Sequence, residues 1–241
     1  MKAISRSTIF SEKIFFFRKP VLTLGSFLNQ PVYIPHMNTN NASLSMTRGR
    51  PREFDPKDVI KRAMNVFWTN GYSGTSLPDL LKATRLSRGS LYAAFGDKRG
   101  LFLSALEQYI DESNVRINSS LHAPLPALER VRDCLNGYVD RSCGPGGKRG
   151  CLLIATAMEL AAKDAEVGHR IRKFFASYEE RLVATLVLAQ EQSELAEGVE
   201  PAHAARILLC MMEGLRVLGK TGLDEASWRI TIDALVDRFK K

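Results

Sequence analysis

From Asp55 to the C-terminus the apolar residues recur three and four positions apart, and no stretch of real length alternates with a period of two. That spacing suits helices and leaves no segment from which to build a sheet. The expected fold is therefore all-α. The helix ends are written in the chain as well. Asp55 is an N-cap residue followed by Pro56, which suits the first helical position. Val59, Ile60, Ala63, Met64, Phe67 and Trp68 then form one apolar stripe that stops at Gly71. Ser76 caps a second, short helix with Pro78 in its first turn and Leu77, Leu80 and Leu81 facing inward. Ser87 caps a third helix. Asp97 caps a fourth, in which Leu101, Phe102, Ala105, Leu106, Tyr109 and Ile110 keep helical spacing. Further helices are expected over about 126–142, 151–162, 165–192, 201–220 and 225–239, with the CGPGGKRG run at 143–150 as a loop. The 151–162 stretch is apolar nearly all round, which predicts a central buried helix.

The charge is spread unevenly. Of the net +8, residues 1–52 carry +7, residues 53–106 carry +3 and residues 107–241 carry −2. An anionic partner at the N-terminal side and a different task for the C-terminal part follow from that asymmetry. Residues 1–45 differ in composition from the rest and include an apolar run broken by Arg18, Lys19 and Pro20, too short to span a membrane. The NTNNASLS tract has nothing to bury and is expected to be disordered. We read Met46 as the start of the ordered protein, and residues 1–45 as a disordered or mis-assigned extension; peptides from residues 1–36 in the native protein would refute this. Cys134, Cys143, Cys151 and Cys210 include no C-x-x-C pair, which indicates free thiols in a reducing, cytoplasmic setting.

Residues 87–100 read SRGSLYAAFGDKRG. Leu91 and Phe95 lie four apart on one helix face and can anchor it in a core. Arg88, Ser90 and Tyr92 are left on the other faces. A short helix with basic and hydroxyl groups at its N-terminal end is what reading a DNA major groove needs. Gly89 lets the backbone approach closely. The preceding helix ends only a few residues upstream, around Thr84 to Leu86, so the two helices have the spacing of a helix-turn-helix.

The run GYSGTSLPDLLKATRLSRGSLYAAFGDKRGLF resembles the signature of the TetR family of bacterial transcriptional regulators. The specific match covers about residues 53–113, and CLLIATAMELAAKD is similar to stretches of some members. The resemblance implies a three-helix N-terminal helix-turn-helix domain at 53–113. A fourth helix joins it to a helical ligand-binding and dimerisation domain at 114–241. It implies a homodimer that binds a palindromic operator in double-stranded DNA, usually represses, and is released by a small-molecule effector. Position by position, Ser76, Ser87, Arg88, Gly89 and Ser90 fall at the DNA face, with Arg88 and Ser90 at bases or nearby phosphates. Thr75, Tyr92 and Lys98 are implied backbone contacts. Arg85 stands where the family commonly has Gly, either as a tolerated turn variant or as an added phosphate contact. Upstream, Arg48, Arg50 and Arg52 form a basic arm at 46–52. Such an arm can enter a narrow minor groove or touch phosphates loosely.

In the C-terminal domain Met158, Phe174, Phe175, Tyr178, Met211 and Met212 are each ordinary core candidates. The resemblance makes them candidate walls of an effector pocket. Cys143 and Cys151 bracket a loop holding Lys148 and Arg149, whose charges favour thiolates, so oxidation or electrophile sensing is a second candidate signal. The alternative is one buried and one incidental thiol. Ala204, Ile207, Leu208, Met211, Leu215 and Leu218, then Ile230, Ile232, Ala234, Leu235 and Phe239, give the last two helices apolar faces suited to a four-helix dimer bundle. His169 and His203 stand alone, so no metal site is expected. No nucleophile elbow, P-loop or dinucleotide fingerprint occurs, so neither catalytic residues nor a cofactor is expected. A non-specific architectural DNA binder would have no use for the large near-neutral C-terminal domain.

Overall fold

The computed structural model describes residues 54–241, and these form ten α-helices, one 3-10 turn and no β-strand. The basic arm and everything before it lie outside the described residues. The first three helices are α1 (Pro56–Asn70), α2 (Leu77–Thr84) and α3 (Arg88–Phe95). Their starts follow the predicted caps. Asp55 accepts from the Lys57 amide, Ser76 from Asp79 and Ser87 from Ser90. Val59, Ala63, Met64 and Phe67 of α1, Leu80 of α2 and Leu91 of α3 are buried together with Leu101 and Phe102 of α4 (Lys98–Leu121). Phe67 and Phe102 meet edge to face, with ring centroids 5.1 Å apart.

The fourth helix runs 24 residues out of this unit into the C-terminal bundle. There it packs against α5 (Ala127–Ser142) and α8 (Ala165–Glu191). Between these lie α6 (Gly144–Gly147) and α7 (Leu152–Leu160), and after them come α9 (Pro201–Leu218), a 3-10 turn (Gly219–Thr221) and α10 (Glu225–Phe239). The start of α5 has Pro126 at its N-cap and no local side-chain cap. Glu194, in the loop after α8, supplies the missing acceptors by taking the Ala127 and Leu128 amides at 3.3 and 2.9 Å.

Two expectations need correction. The 143–150 run is not all loop, because Gly144–Gly147 closes into one helical turn. The helix after it is not buried all round. Only Leu152, Leu153 and Thr156 are buried, and Met158 projects from the opposite face, 84% exposed. The last two helices, expected in a dimer bundle, pack within the chain on different neighbours. α9 lies against α8, and α10 lies against α5. Ile232 and Val236 bury the inner face of α10, and ion pairs flank the second pairing: Arg132 of α5 binds Asp233 and Asp237, and Arg229 of α10 binds Asp140. No helix among the described residues is long and apolar enough to cross a membrane.

Candidate nucleic-acid interface and interior chamber

The second and third helices meet through a three-residue turn, Arg85 to Ser87. Arg85 sits at φ 60°, in the left-handed region that disfavours a side chain. The resemblance to a glycine position there therefore has a conformational basis. Replacing Arg85 with Gly is expected to stabilise the protein by up to about 1 kcal/mol. A urea midpoint that fails to rise would contradict this.

At the start of α3, the Ser87 Oγ accepts from the Ser90 amide at 3.1 Å and pairs with the Ser90 hydroxyl at 2.8 Å. Arg88 and Gly89 are exposed beside them, and nothing lies within 4 Å of where a Gly89 Cβ would stand. Tyr92 is 42% exposed one turn on, while Leu91 is fully buried and Phe95 half-buried. The N-terminal end of α3 thus presents a guanidinium, two hydroxyls, a bare backbone and a phenol outward. Lys98, at the first position of α4, has its ammonium 4.4 Å from the centroid of the Tyr72 ring.

Two implied contacts are otherwise engaged. Thr75 is buried, and its hydroxyl donates to the Gly71 carbonyl at 2.6 Å, so its side chain has no path to a phosphate. Ser76 is exposed, but its hydroxyl donates to Asp79 at 2.5 Å, while Asp79 also takes the Ser76 amide at 3.0 Å. Those bonds hold the Asp79 carboxyl below the usual carboxylate range.

Two residues that the sequence did not single out for this role tie this unit to the C-terminal domain. Glu159, on α7, accepts from the amides of Tyr72 and Ser73 at 2.9 and 2.6 Å. Arg149, just before α7, lies 4.2 Å over the Trp68 ring and donates to Asn65 at 3.0 Å. The one sequence signal was Glu159 itself, the single acid in an apolar run.

The C-terminal domain holds two cavities that share a wall. An open cleft of about 460 Å³ between α4 and α8 is lined by Glu107, Asp111, His169, Arg170 and Phe174, among others. Behind it lies a chamber of about 20 Å³, large enough for a water, bordered by Tyr109, Tyr138, Cys151, Glu213, Arg216 and again Phe174. In the chamber the Tyr138 hydroxyl donates to Glu213 Oε1 at 3.1 Å, and Glu213 Oε2 has no partner. Burial pushes the Glu213 carboxyl up to about 7. Arg216 offers no ion pair, because its guanidinium is taken by the carbonyls of Arg141 and Gly150.

Of the six candidate pocket residues Phe174 borders both the cleft and the chamber. Tyr178 and Met212 are sealed in the core, with the Tyr178 hydroxyl 3.0 Å from Met212 Sδ and 3.1 Å from Cys134 Sγ. Phe175 and Met211 are half-buried against the same core, and Met158 is on the surface. The reactive-thiol expectation also meets the wrong surroundings. Burial pushes both the Cys143 and Cys151 thiols up, and Arg149 points at α1 instead of at a sulfur.

Comparison with known proteins converges on one family. Residues 59–105 match the model of bacterial regulatory proteins of the tetR family, and residues 127–235 match that of a tetracyclin repressor-like C-terminal domain. The uncharacterized HTH-type transcriptional regulator YezE of Bacillus subtilis (strain 168) is 34% identical over 177 residues, covering 73% of this chain and 91% of its own. The HTH-type transcriptional repressor ComR of Escherichia coli (strain K12) is 28% identical over 177 residues, covering 73% and 84%. Among solved structures, a cysteine mutant of the TetR family transcriptional regulator CifR, complexed with 26-bp double-strand operator DNA, superposes with a TM-score of 0.69 at 28% identity. That match covers 79% of this chain and 100% of the other.

Proposed function

The chain belongs to the TetR family of bacterial regulatory proteins, and we propose that it acts as a homodimer that represses from a palindromic operator until a small effector releases it. It is a DNA-binding transcriptional regulator and not an enzyme. The observation that carries the finer reading is the outward-facing N-terminal end of α3, held from behind by buried Leu91. Arg88 and Ser90 read base edges or the nearest phosphates, Gly89 admits the DNA backbone, and Tyr92 and Lys98 hold phosphates. Ser87 orients Ser90, and the arm of Arg48, Arg50 and Arg52 adds phosphate or minor-groove contacts. Thr75 and Ser76 serve the fold of the unit and not the DNA directly.

Arg88→Ala is expected to lower affinity for the operator by roughly tenfold and to relax preference at one base pair. Lys98→Ala is expected to weaken binding to all duplexes evenly and to reduce the slope of log affinity against log salt by about 1. Titrations of selected and random duplexes at several salt concentrations check both. An Arg88→Ala protein that binds the selected duplex like the wild type would overturn the assignment of α3.

The dimer reading is supported by an exposed stripe on α9, formed by Ile207, Cys210, Val217 and Leu218 around half-buried Gly214. Beside it on α8 runs a groove lined by Ala176, Glu179, Glu180, Val183 and Ala184. The effector reading is supported by the cleft and chamber on either side of Phe174. A signal carried by Cys143 and Cys151 is the weaker reading, given the raised thiols.

A further inference from the structure

We infer that Glu159 and Arg149 are positioning residues for operator binding: from either end of α7 they grip α1 and the α1–α2 turn and so set where the DNA-reading unit stands. The grip is specific. Glu159 takes two consecutive backbone amides, Tyr72 and Ser73, and these bonds hold its carboxyl below the usual carboxylate range. Gly71, at φ +74°, makes the approach possible, since a Cβ there would come within 2.9 Å of Glu159 Oε2. At the other end of α7, Arg149 stacks on Trp68 and bonds Asn65, both near the end of α1.

The gripped turn leads in two directions toward the proposed DNA face. The Tyr72 ring lies beneath the Lys98 ammonium and packs on Phe102, with centroids 4.8 Å apart. A shift of the Tyr72 backbone therefore moves the platform on which the proposed phosphate contact rests. Onward from Ser73 the chain passes buried Thr75 and enters α2 at the Ser76 cap, so the same shift reaches the helix that supports α3. The path from Glu159 to either endpoint is continuous packing and hydrogen bonding. Cys151 and Leu153, at the opposite end of α7, border the interior chamber, so one helix touches both the chamber and the grip.

The inference rests on the reading of α3 as the DNA-reading helix, and its test separates the two. Glu159→Ala and Arg149→Ala are compared with the wild type, first without DNA, by amide hydrogen exchange. Tyr72 and Ser73 are expected to exchange roughly tenfold faster in Glu159→Ala while Leu182 and Leu186 of α8 keep their protection. Loss of protection in α8 as well would make the role merely structural and overturn the proposal. Binding is then titrated to a duplex that the wild type selects from a random pool. Both variants are expected to bind roughly tenfold more weakly with an unchanged salt slope. Unchanged affinity overturns the proposal. So does a slope reduced by about 1 in Arg149→Ala, which would mark a direct phosphate contact. A wild type that selects no duplex defeats the α3 reading, and the exchange experiment still decides the grip.

Discussion

A glutamate in place of Val217 is expected to leave the protein monomeric and to lower its affinity for a palindromic duplex by roughly a thousandfold, toward the non-specific level. Val217 is 49% exposed on α9, one to three turns from Ile207, Cys210 and Gly214 on the same face. In a lone chain that stripe lies open to water, and the adjoining groove on α8 has room for a neighbour's side chains. A two-fold axis through the stripe would bury Val217 against its own copy, so Val217→Glu sets two carboxylates into an apolar seam. The single chain has no reason to unfold, since the position is already half in water. A dimer places two α3 helices about one turn of DNA apart, roughly 34 Å, and a lone subunit keeps only half the contacts.

The control is Ile230→Glu. Ile230 is 70% exposed on α10, which packs against α5. It is expected to change neither mass in solution nor operator affinity. Light scattering and duplex titration on the two variants decide the matter. If Ile230→Glu dissociates the protein and Val217→Glu does not, the interface lies on α10.

That contrast also marks where the chain's pattern stops informing. Helix positions were legible because the signals are local: Asp55, Ser76, Ser87, Asp97 and Pro201 each start a helix within a residue of the expected place. The core side of the first four helices followed from spacing, as at Leu80 and Leu91, whereas the apolar run of α7 hid its exposed face. Which helix lies on which was not legible, because the deciding contacts join residues far apart. Arg132 meets Asp233 and Asp237 about a hundred positions away, and no periodicity records that. The outward residues of α3 were readable from a 14-residue window. Thr75 was not, since a threonine between Gly74 and Ser76 looks like a surface hydroxyl until its bond to Gly71 is known. Glu159 could be noticed as a lone acid, but its partners are backbone amides 86 and 87 positions upstream.

Replacing Glu213 with Gln is expected to flatten the dependence of stability on pH between about 5 and 8 and to remove a loss of about 3 kcal/mol that the wild type suffers over that range. Burial raises the Glu213 carboxyl from its ordinary 4.5 to about 7 in the folded chain. Between those values the folded state holds a proton that the unfolded state has released. Stability therefore falls as pH rises through that window and stays low above it. Glutamine keeps an acceptor for the Tyr138 hydroxyl and carries no charge to desolvate. Urea unfolding of both proteins at pH 5 and pH 8, at one protein concentration, measures the difference. Equal slopes in the two would show that Glu213 is not the titrating group. A carboxyl with one unpartnered oxygen weakens the fold at neutral pH, so stability does not explain its presence in the chamber. The chamber beside it has room for a water, which could donate to Oε2.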